Sequence, residues 1–223
     1  MNANIAIDGP AGAGKSTIAK QLAEKLGLLY VDTGSMYRAL AVFFLRRGLS
    51  KEDEKGISGA VAEASVGIRY VDGTQRVFLN GEDVTDSLRN EETGNMASSS
   101  SAYPAVRERL LGLQRELAEK NAVVMDGRDI GTVILPDAAL KIYLTASVEE
   151  RTRRRVNELL AKGVPADADQ IKHDIEERDQ RDMNRAVAPL RRADDAVLVD
   201  SSDMSIEEVV DVISALYREK CRK

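Results

Sequence analysis

The stretch that decides the fold is GPAGAGKS, Gly9–Ser16. It is preceded by the apolar run NIAI (Asn4–Ile7) and followed by TIAKQLAEKL (Thr17–Leu26). It matches the pattern G-x-x-x-x-G-K-[ST], and it does so between an expected strand and an expected helix, which is the context that gives the pattern meaning. A glycine-rich turn with a chance lysine would need neither neighbour. Glycines let backbone N–H groups turn inward around phosphate oxygens, and the helix N-terminus adds positive potential. The expected triphosphate contacts are Gly9, Pro10, Ala11, Gly12, Ala13, Gly14, Lys15, Ser16 and Thr17. Lys15 would reach the β- and γ-phosphates, and the Ser16 hydroxyl would serve Mg²⁺. The chain is therefore expected to bind a nucleoside triphosphate with Mg²⁺.

Four further short apolar runs repeat the strand signal: LLYV (Leu28–Val31), AVVM (Ala122–Met125), LKIYL (Leu140–Leu144) and AVLV (Ala196–Val199). Continuous apolar runs suit parallel strands covered on both faces. The segments between them are amphipathic, and SVEE (Ser147–Glu150) and SIEE (Ser205–Glu208) have the spacing of capping boxes. The expectation is an α/β domain with a doubly wound five-stranded parallel sheet. One region breaks the alternation. VGIRYVDGTQRV (Val66–Val77) carries Asp72-Gly73 between two β-rich runs, a hairpin signal. Residues 64–92 are read as a small inserted β-containing subdomain of a single domain spanning 1–223.

Composition narrows the function classes. A net charge of −5 with no Trp and three Phe disfavours a nucleic-acid face with stacking strips. The longest apolar run, ALAVFFL (Ala39–Leu45), is too short to span a bilayer. The one cysteine, Cys221, excludes an internal disulfide framework and fits a reducing compartment. A cytoplasmic monomer without nucleic-acid or membrane partners is the expectation. No N-K-x-D guanine-reading string occurs, which leaves a small phosphotransferase whose acceptor site lies elsewhere in the chain.

Three stretches are candidates for it. DTGSMYR (Asp32–Arg38) and DGRDIGT (Asp126–Thr132) each follow a strand directly, where an open α/β sheet places its ligands. RDQRDMNRAVAPLRR (Arg178–Arg192) alternates charges and reads equally as a solvated helix face. Placed on one helix, Arg178, Arg181, Asp182 and Arg185 share a face. Asp32 and Thr33 also suit a helix cap, Asp126 and Asp129 suit a turn, and Arg107 suits a solvated surface.

Together with IDGPAGAGKST, these blocks resemble the bacterial cytidylate kinases over essentially the whole chain. The resemblance implies an enlarged nucleoside-monophosphate-binding insert and a short helical lid and substrate arm over 151–185. It implies phosphoryl transfer from ATP to CMP or dCMP; the alternative is a P-loop kinase acting on another small acceptor such as UMP. In those terms Asp129 would accept from the cytosine amine, Arg107 and Arg185 would donate to the ring, and Thr33 would add a hydroxyl. Ser98, Arg178 and Asp182 would meet the ribose, and Arg38 and Arg128 the acceptor phosphate. Asp126 would join Ser16 at the Mg²⁺. Arg151, Arg154 and Arg155 would close over the triphosphate, with Lys15, Arg128, Arg151 and Arg155 stabilising the transferring phosphoryl group. Arg181 stays open between phosphate contact and structural pairing, and Pro189 is expected to end or follow the arm.

Overall fold

The computed structural model describes residues 3–221. The chain divides into two compact units, Met1–Leu29 with Ala122–Lys223, and Tyr30–Asn121.

The first unit starts from the apolar runs. β1 (Ile5–Asp8) is buried at every position and is followed by α1 (Lys15–Leu26). The next strand, β2 (Leu29–Asp32), lies at the division between units. β6 (Val123–Gly127) is also buried throughout, as expected of strands covered on both faces. β7 (Leu140–Thr145) and β8 (Val197–Asp200) complete the set. β1 pairs in parallel with β6 and β7, and β7 with β8. The five-stranded parallel sheet has the order β2-β6-β1-β7-β8. Each expected strand is present, shifted by about one residue toward its C-terminal end.

α6 (Val148–Ala161) and α7 (Ala168–Asn184) pack on each other, while α8 (Ile206–Cys221) packs on α1 and β7. The SIEE segment forms a full capping box. Ser205 N–H donates to Glu208 and Glu208 N–H donates to the Ser205 hydroxyl, an arrangement that stabilises a helix start by about 1 kcal/mol. SVEE makes only half of one. Ser147 Oγ accepts from Glu150 N–H, but the Glu150 carboxylate is drawn to Arg153 and Arg154 instead.

In the second unit α2 (Thr33–Arg46) packs against α4 (Glu91–Ser100) and α5 (Pro104–Lys120), with α3 (Glu54–Ala60) beside α5. β3 (Val66–Val71) and β4 (Thr74–Leu79) form an antiparallel hairpin closed by Asp72 and Gly73. Both turn residues have positive φ, 49° and 72°, the backbone that matches strand twist in two-residue hairpins. The short β5 (Glu82–Asp83) makes this a three-stranded sheet.

Candidate active site

In the first unit the loop Gly9–Ser16 joins β1 to α1. Gly9 sits at φ 152°, and a Cβ there would lie 1.9 Å from the Leu144 carbonyl oxygen, so no larger residue fits between these strands. Gly14 precedes α1 in the left-handed region (φ 85°) with no side-chain cap, and the first turn of α1 contains no acid. The leading N–H groups of α1 are thus left to an outside acceptor, the ordinary basis of anion binding at a helix start. Lys15 is buried, with Nζ 2.7 Å from the Pro10 carbonyl. Burial and the nearby Arg128 charge hold its ammonium well below the usual lysine range. Ser16 Oγ donates to Asp126 Oδ2 at 2.9 Å. The two expected Mg²⁺ ligands therefore converge. Among the described residues there is no group of three or more His, Cys, Asp or Glu fit to hold a metal. Two oxygens from a serine and a carboxylate fit Mg²⁺, which keeps water and takes its remaining ligands from phosphates.

Directly across β1, Asp8 accepts from the N–H groups of Ile130 and Gly131, both at 2.7 Å. These open a π-helical turn over Ile130–Ile134, in which Leu135 N–H reaches back to the Ile130 carbonyl. Wide turns of this kind frequently mark functional sites. Burial pushes the Asp8 carboxyl up to about 6 against the pull of those two N–H groups, and the Asp129 charge pushes the same way. The turn fixes Asp129, whose Oδ1 lies 3.2 Å from Arg185 Nη2. Next to it, Arg128 Nε meets Asp182 Oδ2 at 2.8 Å. Burial alone would raise the Asp182 carboxyl, but Arg128, Arg178 and Arg185 outweigh it and hold it below the usual range. Asp126 and Asp129 are thus buried groups, not surface turn residues.

The substrate-arm reading needs one correction. Arg178, Arg181 and Asp182 do lie on α7, but the helix ends at Asn184 and Arg185 is extended (φ −63°, ψ 141°). Beyond it the chain turns, with Ala188 at φ 49° before Pro189 and Leu190 N–H closing onto the Asp182 carbonyl. Arg185 therefore reaches Asp129 from a loop, with Nε on the Ala188 carbonyl, and not from the helix face. Arg191 and Arg192 are exposed.

The three arginines of EERTRRR separate. Arg151 is buried, and its guanidinium holds the Ala11 carbonyl (2.8 Å), the Ala146 carbonyl (3.0 Å) and Asp179 (2.5 Å). Arg154 bonds Glu150 and the Ser201 carbonyl. Arg155 is the more open of the three and pairs with Glu158. Arg151 thus grips loop backbone, while Arg155 stands at the surface.

In the second unit Asp32 caps α2, its Oδ1 accepting from Ser35 N–H at 3.0 Å, and Thr33 is the buried first residue of the helix. Gly34 leaves room for the Arg38 guanidinium, which would lie 3.3 Å from a Cβ at that position. Arg107 is buried, not solvated, donating to the Ser101 carbonyl and lying over the Tyr37 ring. Ser98 Oγ is buried and has no hydrogen-bond partner among the described residues.

Three residues in these arrangements carried no signal of their own in the sequence. Asp8 and Asp179 lay inside quoted motifs without a role. Gln75 of β4 pairs its side-chain amide with the Asp32 main chain and the Ser35 hydroxyl, a link across 43 positions that no local spacing announces.

The comparisons agree with the motif blocks. The family model Cytidylate kinase matches residues 5–219. A cytidylate kinase of Caldicellulosiruptor bescii is 51% identical over 96% of this chain and 95% of its own length. One of Pelotomaculum thermopropionicum is 52% identical over 95% and 94%. A solved protein of Eubacterium ventriosum, described as uncharacterized, is 16% identical and superposes with a TM-score of 0.56 over 98% of this chain, which supports the fold alone. No helix among the described residues is long and apolar enough to cross a membrane. With a family match that runs almost from end to end and relatives half identical over nearly their whole lengths, the chain belongs to the cytidylate kinase family.

Proposed function

We propose that the chain transfers the γ-phosphoryl group of ATP to CMP or dCMP, giving ADP and CDP or dCDP. The single observation that carries the reading is the buried charged group next to the phosphate loop: Asp129 with Arg185 and Arg128 with Asp182, beside Lys15. Cytosine presents an amine donor with N3 and O2 acceptors, and a carboxylate flanked by an arginine complements that edge. Uracil replaces the amine with a carbonyl, which Asp129 would repel. A polar site rejects such an analogue strongly because a buried group is left unmatched.

In this reading the loop Gly9–Thr17 holds the triphosphate and Lys15 leaves the Pro10 carbonyl for phosphate oxygens. An arriving polyanion restores the charge that burial and Arg128 disfavour. Ser16 and Asp126 would hold Mg²⁺, which supplies charge neutralisation to the triphosphate when bound. Arg128 and Arg38 serve the acceptor phosphate, Arg178, Asp182 and Ser98 the sugar, and Arg107, Arg185 and Thr33 the base. Negative charge on the transferring group is met by Lys15, Arg128 and Arg155, and Arg128 is placed in advance by buried Asp182. No covalent enzyme intermediate is needed. Arg151 works one step back, through the loop. The working unit is taken to be one chain in the cytoplasm, which size-exclusion chromatography tests as to monomer.

An ADP-release assay with CMP, dCMP, UMP and AMP as acceptors tests the reading. Turnover with CMP and dCMP, and little with the others, is expected. Equal UMP and CMP rates would remove Asp129 as the base reader, and no acceptor-dependent ADP release would overturn the kinase reading.

A further inference from the structure

A phosphate loop has a physical problem that its glycines create. Gly12 and Gly14 stand at φ 75° and 85°, and fixing each flexible residue in one backbone well costs conformational entropy. Something outside the loop must hold it if its N–H groups are to be aimed before the nucleotide arrives. In this chain both polar groups of one loop residue, Ala11, are taken by side chains from elsewhere. Ala11 N–H donates to Asp179 Oδ1 at 3.0 Å, and the Ala11 carbonyl accepts from Arg151 Nη1 at 2.8 Å. The two side chains are themselves joined at 2.5 Å, both are buried, and Arg151 Nε is anchored on the Ala146 carbonyl just beyond β7. A Cβ at Gly12 would lie 3.3 Å from Arg151 Cβ, so the loop is packed on the arginine as well as bonded to it.

The charges make the same point. A carboxylate beside an anion-binding loop opposes binding unless it is neutralised, and Asp179 is neutralised by the arginine that shares its task. An ion pair serving only α6 and α7 would have no reason to bind both the N–H and the C=O of one loop residue. Asp179 also lies in the same turn of α7 as Arg178 and Asp182, whose charges act on Lys15.

We propose that Asp179 and Arg151 are positioning residues that hold the first turn of the phosphate loop through the N–H and C=O of Ala11, and thereby fix the seat of α7 relative to that loop. The inference rests on the reading of Gly9–Ser16 as the ATP loop. Neither residue touches the reacting atoms. They pre-aim the loop, so their loss appears first in ATP affinity.

The test uses the intact chain and three readouts. Amide hydrogen exchange of Ala11 in the nucleotide-free wild type should be strongly slowed; exchange at the rate of an open loop would overturn the proposal, and this needs no variant. Equilibrium binding of the magnesium complex of AMPPNP should weaken about tenfold or more in Asp179→Ala. It should weaken about threefold or less in Asp179→Asn, because the amide oxygen still accepts from Ala11. That rescue is a result a merely stabilising ion pair would not give, since asparagine breaks the ion pair too. The double variant Asp179→Ala/Arg151→Ala should bind no worse than Asp179→Ala alone, as expected for members of one network. Wild-type AMPPNP affinity in a folded Asp179→Ala protein overturns the proposal, and so does equal weakening in Asp179→Ala and Asp179→Asn. If Asp179→Ala does not fold, the Ala11 exchange and the Asp179→Asn affinity decide. Wild-type turnover of CMP, measured separately, speaks only to the kinase reading.

Discussion

Asp129 and Arg185, 56 residues apart, meet at 3.2 Å with their side chains only 4% and 5% exposed. One ends a strand-to-turn segment and the other leaves a helix C-terminus, and each neutralises the other out of water. A buried pair broken on one side costs about 3–5 kcal/mol. Asp129→Asn keeps the shape but turns part of an acceptor into a donor. It should lower kcat/KM for CMP by about a hundredfold or more while narrowing the CMP-to-UMP ratio. Steady-state kinetics with both acceptors checks it, and an unchanged ratio would place cytosine recognition elsewhere.

Arg128 and Asp182 are expected to be energetically coupled. A double-mutant cycle with Arg128→Ala and Asp182→Ala, followed by urea unfolding, should give a coupling energy of about 0.5–3 kcal/mol. Arg128→Ala should also cut kcat by about a hundredfold or more, the scale for removing a placed charge from a transferring group. Near-wild-type turnover in a folded Arg128→Ala protein would take the residue out of the mechanism.

Asp8 makes stability depend on pH in an unusual direction. Its carboxyl ionises near 6 in the folded chain, raised from 3.8 chiefly by burial. Between those values the folded state binds the proton that the unfolded state has released. The contribution of Asp8 is therefore complete below 3.8 and is lost as pH rises through 6, by up to about 3 kcal/mol. Asp8→Asn cannot titrate, and its amide satisfies only one of the two N–H groups of Ile130 and Gly131. The stability gap between wild type and Asp8→Asn should narrow from pH 4.5 to pH 7.5. Urea melts at the two pH values measure this, and a gap that widens would show that the carboxylate, not the acid, is the stabilising form.

Gln75 holds the start of α2 from the hairpin, with Asp32 N–H on its Oε1 at 3.0 Å and its Nε2 on the Ser35 hydroxyl at 2.7 Å. Gln75→Ala leaves these partners without their bonds and should destabilise the protein by about 1–3 kcal/mol. Because Thr33 and Arg38 lie on that helix, KM for CMP should rise while KM for ATP changes little. Thermal unfolding with the two KM values tests both halves, and an equal rise in the two would assign Gln75 to general stability alone.

The β1–loop–α1 unit, the five strands, the Asp72-Gly73 hairpin and the SIEE box were legible because each depends on neighbours within a few residues. Apolar runs, glycines at positive φ and caps are local physics, and GPAGAGKS carries its own backbone requirement. The residues of the candidate site were also legible as types, through motif blocks that only a phosphate chemistry explains together. Their partners were not. Arg178 to Arg185 reads as one helix face by spacing, yet the helix ends at Asn184 and the extended Arg185 meets Asp129. Arg151 has the same local pattern as Arg155, yet one is buried against Ala11 and Asp179 and the other pairs with Glu158 at the surface. Charge alternation cannot separate them, because a pair's worth depends on the water it excludes. That is set by the sheet and helices around it, over separations of up to 168 residues, as between Ala11 and Asp179. Sequence alone thus determined the fold and the kinds of charge brought together, and tertiary structure decided which charges neutralise one another, because only packing sets the water each pair excludes.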